Sequence, residues 1–432
     1  MRKILVTLLS VLLLIALVGC GNDDTLVTDD AATDGGNEGT ITVWGWGPTS
    51  NIFALEVAAE IYYEISPKVE IEIVEMSWDN IQTQIIAAET SGNFDNLPDI
   101  MLIQNHAFQM NVMHFPDVFI DITDSGIPFH EFAPAKVEMS MVGGSSFGVP
   151  FDNGIIFMAL RTDILEQVGF TMADFTDITW NEIMDLGWIV LGQTGMPLVS
   201  ATAGGRDYMS VMLQSAGVNL FHEDGRPNIA GNDVLIEAIE IYLALVQSGV
   251  VIEVNNWNEY IRSIVNGEVA GTIGGYWILG QIQAATDQAG NWGLTNIPRI
   301  DVPGGTNYSS WGGTSWAITS DANTDLAVSF LRHTFAGSVE LYDTILPATG
   351  AIATWGPAAE SEIYARPQEF FGGQQIFADM VRFSHHVPSI TTGVYYYEAL
   401  TAIGDAVVEI FLGVDIAQAL QNAQEIVEFQ IN

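Results

Sequence analysis

Cysteine occurs once in 432 residues, at Cys20. A lone cysteine cannot close a disulfide within its chain, and its neighbourhood lacks the partners a metal site needs. Cationic side chains are nearly as scarce. Twelve Lys and Arg face 53 Asp and Glu, a formal charge of −41, and beyond Lys3 the lysines are Lys68 and Lys136 alone. Such a surface repels nucleic acid, phosphorylated ligands and anionic lipid headgroups, so no nucleic-acid partner is expected. Apolar runs long enough to span a membrane are missing after residue 18. HExxH, a P-loop and a strand-linked dinucleotide fingerprint are missing too, so no metal or cofactor is expected. Apolar residues nevertheless make up 48% of the chain, which excludes disorder for most of it.

The one apolar run, residues 4–18, is broken only by Thr7 and Ser10 and follows Arg2 and Lys3. It is too short to cross a bilayer comfortably and reads as the core of a signal peptide over 1–19. Leu17-Val18-Gly19-Cys20 resembles the lipobox of bacterial lipoproteins. That resemblance implies a diacylglycerol on the Cys20 thiol and cleavage just before it, leaving a lipidated N-terminus on the outer face of the cytoplasmic membrane. Loss of Arg2 and Lys3 would change the charge from −41 to −43. Residues 20–39 carry acid, Gly, Thr and Ala with almost nothing to bury, and read as a flexible tether. The acidity also suits an exported protein of a saline or alkaline habitat.

About 390 residues then remain, too many for one core and the right number for two domains. "ITVWGWG" (41–47), "VEIEIVEM" (69–76) and "IMLI" after Asp99 read as strands; residues 52–65 and 78–92 between them have helical spacing. This β-α-β-α-β order predicts a parallel sheet with helices on its faces. A similar alternation resumes after Pro150. It includes "TWNEIMDLGWIVL", opened by a Thr179–Glu182 capping box, a long helix over 232–248, and "VAGTI" running into "GGYW". Helices near 324–335 and 395–411, and a final one after Gly413, end the chain. Two α/β lobes are expected, 40–149 with 311–350 and 150–310 with 351–432, joined near 149–153 and 308–312.

Enzymatic motifs are weak. Gly144-Ser145-Ser146-Phe147-Gly148 matches G-x-S-x-G, but that motif needs a strand-to-helix turn, and Val149-Pro150 point to a strand. "DANTD" (321–325) lacks the glycine and the final glutamate of a calcium loop and reads as a helix start. The unusual feature is aromatic placement. Trp44 and Trp46 end one strand, Tyr276 and Trp277 another, Trp311 stands in a glycine joint, and Tyr395-Tyr396-Tyr397 open a helix. Ligands of α/β sheets bind beyond the carboxyl ends of strands, and aromatic faces beside glycine suit the apolar C–H faces of sugar rings.

With "LPDIMLI", "FGVPFDNGIIFMALRTDIL", "VNGEVAGTIGGYWILGQI" and "SSWGGTSWAITSDANTDLAVSFLRHTF" in this order, the chain resembles the extracellular solute-binding proteins, family 1, of bacterial ABC transporters, the maltose-binding-like group. The resemblance implies a periplasmic-binding-protein-like fold: two α/β lobes closing on a neutral mono- or oligosaccharide, and a monomer that docks on ABC permease subunits. It implies a binding protein, not an enzyme. Asp152 and Asn153 would lie at the first hinge crossing and Trp311, Gly312 and Gly313 at the second. Trp277 beside Tyr276 would be a stacking platform, and Trp46 and Asn105 would come from the first lobe. Arg206 would contribute from the second, with one tyrosine of the trio, Tyr396. Two other readings stay open: a surface hydrolase using Ser146 and a glycan adhesin.

Overall fold

The computed structural model describes residues 38–222, 224–388, 390 and 394–431. Cys20, the signal peptide and nearly all of the tether therefore lie outside the described residues. The first lobe starts as its alternation predicts. Strand β1 (Gly39–Gly45) leads through helix α1 (Phe53–Ile65) to β2 (Val69–Glu75), then through α2 (Trp78–Ser91) to β3 (Ile100–Gln104). Both β2 and β3 pair parallel to β1, with Ile41 opposite Ile71 and Val43 opposite Ile100. Helix α2 is capped by Ser77, whose hydroxyl accepts from the Asn80 amide, and stops at Gly92 with φ 64°. Its Ile81, Ile85 and Ala88 are buried, one face of the helix as their spacing requires.

Helix α3 (Asn105–His114) begins directly where β3 ends, so its first residues stand at the carboxyl edge of the sheet. Helix α4 (Pro134–Met139), the short hairpin β4 (Met141–Val142) and β5 (Ser145–Ser146), and β6 (Gly148–Pro150) follow. The G-x-S-x-G segment is thus strand on both sides of Phe147. Ser146 is buried, its amide donates to the Thr123 hydroxyl, and it presents no exposed nucleophile.

The second lobe is built on β7 (Ile156–Arg161). It continues through α5 (Thr162–Gln167), α6 (Trp180–Thr194), β8 (Val199–Thr202), α7 (Arg206–Ser215), α8 (Asp233–Gln247) and β9 (Val251–Val254). Helix α9 (Trp257–Val265), β10 (Gly271–Gly275), α10 (Leu279–Ala284) and β11 (Trp292–Thr295) complete it. Strands β10 and β11 flank β7, both antiparallel, and β8 pairs parallel with β9. The capping box of α6 is formed at both ends: Glu182 accepts from the Thr179 amide at 2.7 Å, and Thr179 accepts from the Glu182 amide at 3.2 Å.

The chain then returns. Strand β12 (Thr314–Ile318) inserts between β3 and β6, antiparallel to both, giving the order β2-β1-β3-β12-β6. Helices α11 (Thr324–His333), α12 (Val339–Thr349), α13 (Gly356–Ala359), α14 (Ile376–Ser384), α15 (Tyr396–Phe411) and α16 (Ile416–Ile431) follow. Asn323 caps α11, so "DANTD" is a helix start. The last two helices pack into the core built on Met158, Met212 and Leu235. Residues 351–384 divide their contacts. Ala353 bridges to Asp152 and Trp355 to Phe132, while Gln374 holds both backbone groups of Leu294 in β11. This segment therefore touches β11 as well as the first crossing and Phe132. No helix among the described residues is long and apolar enough to cross a membrane.

Candidate functional site

The two crossings meet as a hydrogen-bonded knot. Asp152 is buried; the Thr314 hydroxyl donates to its Oδ2 at 2.6 Å and the Gly154 amide to Oδ1 at 3.2 Å. The nearby Tyr276 side chain also favours the charged form of this carboxylate. Lys136, from α4, is buried below, and its Nζ reaches the Gly312 carbonyl at 3.5 Å. Burial pushes the Asp152 carboxyl up and the Lys136 ammonium down to about 8, and the attraction between the two opposes both shifts. Close approach explains the glycine pair. A Cβ on Gly313, at φ 82°, would lie 2.7 Å from Lys136 Nζ and 3.0 Å from Asn105 Nδ2.

Above this knot lies a cleft of about 520 Å³, within the ordinary range for small-molecule sites. Trp277 and Trp311 form its aromatic wall, Trp46 faces them from the end of β1, and Arg206, Gln104 and Gln281 supply polar edges. The Trp277 indole folds back over Gly275, where an added Cβ would meet the ring at 2.3 Å, so the glycine before it makes the pose possible. Tyr276 meets that indole edge-on, with ring centroids 5.6 Å apart. Trp46 leans on Trp78 at 5.4 Å. A narrow apolar recess lined by Ile156, Val211, Tyr260 and Ile273 extends from Trp277 and Trp311 into the second lobe.

Four groups from distant parts of the chain stack at one side of the cleft. The His106 imidazole lies 4.8 Å from the Trp311 indole and 5.1 Å from the Tyr397 ring, at 11° and 13° to them. The Arg206 guanidinium sits 5.2 Å over Tyr397 and donates to its hydroxyl at 3.3 Å. Arg206 also pairs with Asp207, Nε to Oδ1 at 3.6 Å, and Asp207 lines the cleft together with Trp311.

Trp46, Asp152, Arg206, Tyr276, Trp277, Trp311, Gly312 and Gly313 therefore line one cleft. Three expected residues do not. Tyr396 is buried in the second-lobe core with its hydroxyl 3.3 Å from Ser210 Oγ, and its neighbour Tyr397 lines the cleft. One residue along a helix turns the side chain by about 100°, which decides between core and cleft. Asn105 is buried beneath Gly313, accepting from the Ser315 hydroxyl at 2.8 Å. Asn153 lines a separate cavity of about 460 Å³ with Lys136 and Gln214. Its alternation with Asp152 along extended backbone places the two side chains on opposite sides. Sequence reading passed over His106, Asp207 and Trp257, which line the cleft, and Lys136 beneath it. The scarcity of lysine was the signal available for Lys136; His106 had none beyond its seat at a strand end.

A curated relative, a lactose-binding protein of Rhizobium radiobacter, is 34% identical over 366 residues, 84% of this chain and 86% of its own. The galacto-N-biose-/lacto-N-biose I-binding protein of the ABC transporter from Bifidobacterium longum, solved with lacto-N-biose, superimposes with a TM-score of 0.75 at 17% identity. It covers 92% of this chain and 98% of its own. The GacH receptor of Streptomyces glaucescens, solved unliganded and with acarbose, gives 0.75 at 16% identity over 90% and 97%. At these identities the two structures show the two-lobed fold. The model of the bacterial extracellular solute-binding proteins matches residues 58–370, and with a relative of this identity and coverage the chain belongs to that family, whose members bind solutes and are not enzymes.

Proposed function

We propose that this protein is the receptor of an ABC importer that captures a neutral disaccharide or short oligosaccharide between its lobes, with β-galactosides such as lactose as first candidates. One observation carries the reading: Trp46, Trp277 and Trp311 line one cleft together with amide, hydroxyl and paired charged groups. Indole faces take up the apolar C–H faces of sugar rings, and the polar groups between them match ring hydroxyls. The charges in the cleft are already partnered, Arg206 by Asp207 and Asp152 by Thr314 and Gly154, which leaves little to attract an ionised ligand. The net charge of −41 adds a general repulsion of anions. The ligand class of the lactose-binding relative supports the choice of β-galactoside.

The receptor would stand on the outer face of the cytoplasmic membrane through lipidated Cys20, act as a monomer, and hand its sugar to permease subunits. Titration calorimetry with lactose, galactobiose, lacto-N-biose, maltose and their monosaccharides tests the ligand. Binding of at least one disaccharide is expected. Silence across the panel together with binding of a peptide or polyamine would sink the reading. Radiolabelled palmitate incorporated by the wild type and lost in Cys20→Ser tests the anchor.

A further inference from the structure

His106 occupies a place that only its uncharged form suits. It is the second residue of α3 in the first lobe, yet its ring lies flat against Trp311 of the second crossing and Tyr397 of α15 in the second lobe. The residue is 9% exposed, and neither ring nitrogen has a hydrogen-bond partner. A neutral imidazole between two aromatic faces loses part of its hydration and gains dispersion and stacking. An imidazolium there would lose the water on both N–H groups and face two cations, Arg206 from α7 and Lys136 from α4. The other groups around it offer no compensation. Asp152 is engaged by Thr314 and Gly154, and Asp207 by Arg206. Glu398 of α15 is held near His114, at the far end of α3. Burial first, then Arg206 and Lys136, hold the imidazole down to about 3.

We propose that His106 is a positioning residue for ligand capture: its neutral ring completes the stack that joins the lobes across the cleft, and a proton on that ring takes the stack apart. The inference rests on the reading that sugar is held by lobe closure. Separated lobes return the imidazole to water, where its pKa is about 6.5. Closure below that pH must then expel a proton. The sign follows: a group whose pKa is lowered in the closed form opposes closure progressively as pH falls through 6.5. With the value of about 3 held by the stacked arrangement, and that arrangement taken as the closed one, affinity at pH 5.0 should be as much as about thirtyfold weaker than at pH 7.5.

Calorimetry with the tightest-binding disaccharide of the panel at pH 7.5, 6.5 and 5.0, in two buffers of different ionisation enthalpy, reads both affinity and protons released. The wild type should lose affinity over this range and release close to one proton per sugar at pH 5.0. His106→Phe keeps a ring without nitrogens and His106→Gln keeps a polar group without titration; both should show flat profiles whatever their affinity at pH 7.5. A flat wild-type profile, or the same slope in both variants, overturns the inference. Small-angle scattering of the sugar-free protein supplies a ligand-independent arm. The wild-type radius of gyration should rise between pH 7.5 and 5.0 and that of the variants should not; equal behaviour in all three again overturns it. A panel on which nothing binds at any pH strikes the sugar reading instead, and scattering still decides the role of His106.

Discussion

Tyr396 and Tyr397 are adjacent and chemically identical, and the fold gives them opposite work. Truncating each separates the two roles. Tyr396→Ala should cost several kcal/mol of stability, about 3 to 5 as for other large buried rings, with sugar affinity changed little in the protein that still folds. Tyr397→Ala removes the partner of His106 and Arg206, so it should weaken sugar binding with a smaller effect on melting. Trp277 belongs with Tyr397. It is half-buried and packs against both core clusters at their seam, whereas Trp292 is fully buried. Trp277→Ala should therefore weaken disaccharide binding by about 2 kcal/mol or more, as truncated aromatic anchors do. Trp292→Ala should instead lower stability by about 3 to 5 kcal/mol. Calorimetric affinity and denaturant midpoint, measured on each variant, check both statements. A Trp277→Ala protein that melts much earlier and binds as before would move that indole from the site to the core.

Helices α6 and α7 show which parts of an element are written locally. The capping box of α6 needs only a threonine and a glutamate three residues apart, and it is present in the structure as it is in the sequence. Thr179→Ala should cost about 1 kcal/mol of stability, read from urea midpoints, with no change in sugar affinity. Helix α7 starts differently. Gly205 precedes it at φ 58°, and a Cβ there would meet the Tyr242 ring at 2.5 Å. Gly205→Ala must therefore strain the backbone and displace the ring at once, at about 1 to 3 kcal/mol for the backbone alone. Arg206 is the next residue, so this change should also weaken binding, unlike Thr179→Ala. Neither the left-handed turn at Gly205 nor its aromatic neighbour 37 positions on can be read from "AGGRDY" by itself.

At the scale of the molecule, charge is the dominant fact. The ion pairs among the described residues join near neighbours, Arg161 with Asp163, Arg226 with Asp224, Arg262 with Glu259 and Arg382 with Asp379, besides Arg206 with Asp207. None of these ties one lobe to the other, so long-range repulsion among carboxylates is left to the solvent to screen. Melting temperature should accordingly rise with sodium chloride between about 50 mM and 1 M, most steeply at the low end where the Debye length is long. A flat salt curve would show that the acidity serves solubility alone.

The sequence by itself determined what depends on neighbours along the chain. The β1-α1-β2-α2-β3 run, the α6 cap, the helix start at Asn323 and the strand-end aromatics Trp46 and Trp277 all follow from periodicity, capping chemistry and glycine placement. The family signature in their order told what kind of molecule they build. Only the tertiary structure decided the rest. Strand β12 pairs with β3 across some 210 residues, with Thr314 opposite Gln104, and that insertion brings Gly312 and Gly313 to Asp152 and Lys136. The same return of the chain lays Trp311 on His106, and α15 then adds Tyr397. No local pattern marks such contacts, because a stacked ring is specified by the partner that reaches it, and here each partner arrives from a different lobe or crossing.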